Sequence, residues 1–200
     1  MSNIHVEVPS YSLVGGVELP SKRTAVVVVD MQNDFVHPKG SLYVNGSDKI
    51  IPIIRDLVER ARANSVRVIY TMDTHSQDDL EFKIWPRHTV ENTWGWEVID
   101  ELKPSKGDII IRKIKYDAFF GTPLDSILRG LSIEYLVLCG VVANICVLHT
   151  AGSAALYGYK IILPVDATVA LTEFDYYVAL RQVSFLYKGT LTTCKAIKFI

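Results

Sequence analysis

Cysteine is scarce in this chain. The three present, Cys139, Cys146 and Cys194, are odd in number and show no metal-type spacing among themselves. That argues against a disulfide framework and makes a reduced, cytoplasmic protein the simplest account. An excess of charge of one sign is missing too, with 21 basic side chains against 22 acidic ones. The densest basic spot, Lys113 and Lys115 around Ile114, falls short of a nucleic-acid footprint. No apolar run is long enough to span a bilayer; Val26–Val29 is only strand length. The opening residues M-S-N-I-H-V-E hold no basic stretch followed by an apolar one, so no secretory signal is visible. Nucleic acid and membrane are therefore not expected partners.

What is present is the pattern of one sizeable domain. The chain has 200 residues, 49% of them apolar, enough for a substantial core. Residues 1–20 read as an N-terminal arm containing Gly15 and Gly16, and residues 21–200 as a single domain. Thr24–Asp30 is a β-branched run, the mark of a strand buried on both faces. After a turn-rich loop, Ile50, Ile51, Ile54, Leu57, Val58 and Ala61 recur at helical spacing, with Ser47 or Asp48 as the cap. Val66–Thr71 reads as the second strand. A long loop over 72–93 and a short helix over 95–102 follow. Strands are expected at Asp108–Arg112, Tyr135–Cys139, Tyr159–Pro164 and Leu191–Lys195. Helices are expected from Thr122-Pro123, over Asn144–Tyr157 and over Glu173–Tyr187. The alternation predicts a three-layer α/β/α fold with a mostly parallel central sheet, whose ligands bind beyond the carboxyl ends of the strands.

Three reactive groups fall just past those strand ends. They are Asp30, a lysine at Lys113 or Lys115, and Cys146 in the first turn of a helix. A helix start favours a thiolate and offers free N–H groups to an oxyanion. A carboxylate there can take the thiol proton, and an ammonium can stabilise both anions. Taken one at a time, each also fits a plain structural role: a core cysteine, a turn aspartate, a solvated lysine. The loop holds a second group. Asp73 and His75 alternate onto one side of an extended segment, and Glu81 and His88 follow. Carboxylates and imidazoles suit zinc, or manganese or iron, although this spacing alone is weak. His149 is expected on a helix face packed against the sheet, and Cys139 and Cys194 in strands as inert thiols.

At the level of motifs the chain resembles the isochorismatase-like superfamily of cysteine hydrolases, and within it the nicotinamidases. The segments that carry the resemblance are V-V-D-M-Q-N-D-F from Val28, H-P-K-G-S-L from His37, R-K-I-K-Y-D-A-F from Arg112 and G-V-V-A-N-I-C-V from Gly140. The resemblance implies Asp30, Lys113 and Cys146 as the catalytic residues, choosing Lys113 over Lys115. It also implies a cis peptide between Val141 and Val142, and an oxyanion hole from the amides of Val142 and Cys146. Asp73, His75 and His88 match the family's metal elements, with Glu81 where some relatives place a further ligand. A divalent metal is therefore expected, zinc first. Phe35, Trp85 and Tyr116 are expected to wall an aromatic substrate slot. Three departures stand out: the stretch after His75 is short, Thr89 replaces a usual Cys, and Asp117 replaces a commoner Ser. The activity implied is release of ammonia from a small amide through a thioester, nicotinamide first. A metal-free carbamoyl or ureido amidase, such as an N-carbamoylsarcosine amidase, is the alternative. Isochorismatase chemistry needs no cysteine nucleophile, and a non-catalytic thiol protein would need no acid partner. Relatives of this kind are often homo-oligomers, and the arm is compatible with that.

Overall fold

A computed structural model describes residues 7 to 200. The start of the arm, including His5, lies outside the described residues. Six strands form the central sheet: β2 (Thr24–Val29), β3 (Arg67–Asp73), β4 (Ile109–Lys113), β5 (Tyr135–Gly140), β6 (Lys160–Pro164) and β7 (Thr190–Thr192). Their order is β4-β3-β2-β5-β6-β7, and every pairing is parallel. The chain therefore starts in the middle, runs outward on one side, and returns to build the other. The order reverses between β2 and β5, where an open α/β sheet leaves a crevice at its carboxyl edge.

Residue alternation along β2 explains the layers. Val26 and Val28 pack on one face with Ile50, Ile54 and Leu57 of α2 (Ser47–Ala63). Ala25, Val27 and Val29 pack on the other with Leu124 and Leu128 of α3 (Leu124–Gly130) and Ala151 and Ala154 of α4 (Leu148–Leu156). Leu180 of α5 (Glu173–Arg181) joins the second face. The whole of β2 is buried, as a strand covered on both sides must be.

Several boundaries differ from the sequence reading. Gly46, at φ 86, stands before α2, so Ser47 is the first helical residue rather than the cap. Its hydroxyl instead donates to the carbonyl of Val36, at the end of a short helix, α1 (Asn33–Val36), inside the expected loop. The expected helix over 95–102 is two 3-10 turns, Trp94–Trp96 and Asp100–Leu102, interrupted by extended backbone at Glu97. The helix after β5 opens with a π turn, Ala143–Val147, and α5 ends in another, Gln182–Leu186. The last expected strand stops at Thr192, and Cys194 lies in a 3-10 turn. Beyond it Ile197–Phe199 (β8) pairs in parallel with Val17–Leu19 (β1), a pairing the sequence pattern does not announce. No helix among the described residues is long and apolar enough to cross a membrane.

Gly140 ends β5 at φ 111, and a Cβ there would collide with the backbone of Val29 on β2. Gly140→Ala is therefore expected to destabilise the fold by more than about 1 kcal/mol, since both the backbone conformation and the space exclude a side chain. Urea denaturation measures this, and an unchanged midpoint would contradict the packing described.

Candidate active site

Register brings the reactive groups together. Val29 pairs with Thr71 on β3 and with Gly140 on β5, and Asp73 pairs with Lys113 on β4. The carboxyl ends of four strands are thus level, and Asp30, Asp73 and Lys113 emerge side by side, with Cys146 on the turn past β5. Asp30 takes φ 49 as it leaves the sheet. All four side chains are buried.

Lys113 Nζ sits at the centre. It lies 2.7 Å from Asp30 Oδ2, 3.2 Å from Asp73 Oδ1 and 3.6 Å from Cys146 Sγ. Burial on its own would lower the lysine, but Asp30, Cys146 and Asp73 around it hold its pKa well above the usual value. Burial raises Asp30, against the pull of Lys113. Burial also raises Cys146 well above an ordinary thiol, with Lys113 opposing and Asp30 adding to the rise. Asp73 goes the other way: burial would raise it, but Lys113, His75 and His88 hold it far below the usual carboxylate range. The resting site therefore holds a neutral thiol beside a carboxylate of raised basicity and a fixed ammonium. Such a set can pass the thiol proton to Asp30 without creating a new net charge in the interior.

The peptide between Val141 and Val142 is cis. The Val142 N–H has no hydrogen-bond partner among the described residues, while the Val142 carbonyl accepts from Ile145 and Val147. Cys146 lies in the first turn that follows, where amides lack partners one turn back. The Val142 amide is thus free to face an anion formed at the thiol, and the Cys146 amide lies in the same turn.

Asp73, His75 and His88 bring one ligand atom each within 4.8 Å of the others. His75 Nδ1 donates to Asp79 Oδ2 at 3.0 Å, and His88 Nδ1 donates to the carbonyl of Pro86 at 2.7 Å. Each ring then turns Nε2 toward Asp73 Oδ2, at 3.0 Å and 3.3 Å. With those tautomers three acceptor atoms face one another, an arrangement that a cation relieves. Without a cation a proton takes that place: burial would lower His75, but Asp73 and Asp79 hold it up at about 9, so that its Nε2 then donates to Asp73. The donor set therefore fits a divalent metal of the zinc type. Glu81 is buried nearby but lies outside this cluster, and its Oε2 accepts from Lys115 at 2.8 Å. Thr89 donates to Asp73 Oδ2 at 3.2 Å in the position where a Cys is usual.

A pocket opens over Cys146 and is lined by Phe35, Trp85 and Tyr116 together with Asp73, Glu81 and His88. Trp85 Nε1 donates to the Tyr116 hydroxyl at 2.9 Å, closing one wall. His149, by contrast, is exposed and does not pack on the sheet; it bonds to the Ile145 carbonyl in its own helix. Sequence reading passed over three residues that brace the site. Gln32 binds both the N–H and the carbonyl of Asp73. Asp79 holds His75 from four residues on, a spacing that the sequence displays. Thr71 donates to Asp30 Oδ1 at 2.6 Å and shares a strand face with Asp73, an alternation that was also readable.

A buried nucleophile, acid and cation at the switch point of an α/β sheet make up the layout of a cysteine hydrolase. Comparison with known proteins places the chain within that class. Residues 24–195 match the Isochorismatase domain, and the chain belongs to the isochorismatase family. It is 31% identical over 204 residues to the ureidoacrylate amidohydrolase RutB of Caulobacter segnis, covering 88% of this chain and 85% of that one. N-carbamoylsarcosine amidase from Thermoplasma acidophilum superposes with a TM-score of 0.80 at 38% identity, over 86% of this chain and 96% of that one. Pyrazinamidase of Pyrococcus horikoshii, solved in complex with zinc, superposes with a TM-score of 0.81 at 31% identity, over 86% and 99%.

Lys113→Met would leave Asp30 and Asp73 buried without their shared cation. The expected loss is about 3–5 kcal/mol in urea denaturation. A loss under about 1 kcal/mol, the scale of an exposed ion pair, would contradict the central role given to Lys113.

Proposed function

We propose that this protein is an amidohydrolase that converts a small neutral aromatic amide, nicotinamide first, to its acid and ammonia. The observation that carries the reading is the shared pocket: Asp73 and His88 of the Asp73–His75–His88 cluster line one cavity with Cys146, walled by Phe35, Trp85 and Tyr116. A planar ring amide matches such a slot in shape and polarity. Ureidoacrylate and carbamoylsarcosine each carry a carboxylate. No Lys or Arg is among the described residues lining the pocket, whereas Asp73 and Glu81 are. An anionic substrate is therefore poorly matched, although the similarity to RutB keeps a ureido or carbamoyl amide as the second reading.

In the proposed reaction the amide carbonyl oxygen points to the N–H groups of Val142 and Cys146. Asp30 takes the proton of Cys146 as sulfur attacks the carbonyl carbon. Lys113 keeps its proton and holds both anions in place. The tetrahedral oxyanion collapses, and the leaving nitrogen departs as ammonia with the proton from Asp30. Asp30, again a carboxylate, takes a proton from water as it attacks the thioester; the acid is freed, the C–S bond breaks, and Asp30 returns the proton to the Cys146 sulfur. Asp73, His75 and His88 would hold the metal, which when bound supplies a positive point for a ring nitrogen and orients the substrate.

Ammonia release tests this, measured over nicotinamide, pyrazinamide, carbamoylsarcosine and ureidoacrylate with and without added zinc. Nicotinamide or pyrazinamide is expected to be turned over fastest, and Cys146→Ala to abolish turnover. Turnover confined to the carboxylate-bearing ureido and carbamoyl compounds would overturn the substrate class. Elemental analysis tests the metal separately. His88→Ala is expected to lose most of the zinc that the parent protein retains through gel filtration, and equal retention would remove His88 from the ligand set.

A further inference from the structure

We propose that Thr71 is a positioning residue for the reaction: its hydroxyl occupies Asp30 Oδ1, so that Oδ2 is the one oxygen that exchanges the proton with Cys146. This rests on the Asp30–Cys146 chemistry proposed above and names the atom through which it runs.

Thr71 is fully buried, and its bond to Oδ1 is 2.6 Å. The same residue receives the backbone of Asp30 in return. The Asp30 N–H is shared between Thr71 Oγ1 at 3.2 Å and the Thr71 carbonyl at 3.3 Å. This two-way clamp holds Asp30 where the chain leaves β2 at φ 49. Oδ2 is left on the other side. It faces Lys113 Nζ at 2.7 Å, in a charge-assisted contact. A carboxylate oxygen has two lone pairs, so Oδ2 keeps one for a proton while it faces the ammonium. The cation beside it is the one that touches Cys146 Sγ at 3.6 Å. In the transfer the S–H bond breaks and an O–H bond forms at Oδ2. Thr71 keeps its own proton, Lys113 stays an ammonium, and the charge of the cluster is unchanged. The groups facing Asp30 are Lys113 from β4, Cys146 past β5 and, at longer range, Asp73 from β3.

The test follows the pH profile of Cys146 alkylation by iodoacetamide, read at the Cys146 peptide by mass spectrometry with zinc present at one fixed level. It requires no substrate. The lower limb of the profile reports the coupled titration of the Asp30–Cys146 pair. Loss of the Thr71 donor removes a bond that favours the carboxylate form. Thr71→Val is therefore expected to move that limb up by about one pH unit, a ten-fold change in proton affinity. Thr71→Ser should return it to the parent position. If Thr71→Val does not fold, as judged by circular dichroism, Thr71→Ala is read in the same way. Asp30→Asn is the control for the underlying chemistry, and if the limb survives in it, the Asp30–Cys146 reading itself fails. If Asp30→Asn loses the limb while Thr71→Val keeps the parent profile, only the role of Thr71 falls. An equal shift in the Ser variant would also overturn it, because the effect would then be steric.

Discussion

One buried ammonium organises this molecule. Lys113 touches Asp30, Asp73 and Cys146 at the carboxyl edge of the sheet, and neither carboxylate can be buried there cheaply without it. Two carboxylates in a dry interior would protonate or force the edge open. With Lys113 between them, they are instead held in different states. Asp73 is driven toward the anion, while Asp30 is left more basic than an ordinary aspartate. The same cation therefore links two halves of one site: the sulfur chemistry on the Asp30 side and the His75–His88 cluster on the Asp73 side.

The sheet is what lets one lysine serve both. In-register parallel strands end at a common level, and a reversal of strand order leaves the space into which their last residues point. Gly140 lets β5 approach β2 closely, which brings the turn carrying Val142 and Cys146 over the end of β2. The loop between β3 and β4 closes the cavity from above. It is fastened by short polar contacts, Trp85 to Tyr116 and Glu81 to Lys115, rather than by regular structure.

Much of this was legible in the chain. The continuous β-branched run of β2, the helical spacing of α2 and the alternation of elements are local consequences of residue type, and they gave the layered sheet correctly. The motifs around Asp30, Lys113 and Cys146 placed each reactive group past a strand end. What failed to show was whatever depends on a distant partner. Ser47 looks like a cap, but its hydroxyl bonds to Val36 instead. Segment 95–102 has helical composition, yet it breaks into two 3-10 turns as Gln32 and Asn33 draw on the carbonyls of Trp96 and Trp94. The β1–β8 pair joins the two ends of the described chain through strands of three residues, too short to carry a period. His149 was expected against the sheet and is exposed, bonded instead to the carbonyl of Ile145 one turn back.

By itself, then, the sequence determined the order of elements, the burial of β2 and the identity of the groups that could react. These depend on periodicity and residue chemistry, which are properties of short stretches. Only the tertiary structure decided that Lys113 touches both carboxylates and the thiol at once, and that Glu81 pairs with Lys115 outside the Asp73–His75–His88 cluster. It also decided that Thr71 holds one oxygen of Asp30 and leaves the other to Lys113. Each of those outcomes is a distance between atoms on different strands. Register and burial set such distances, and no stretch of sequence contains them.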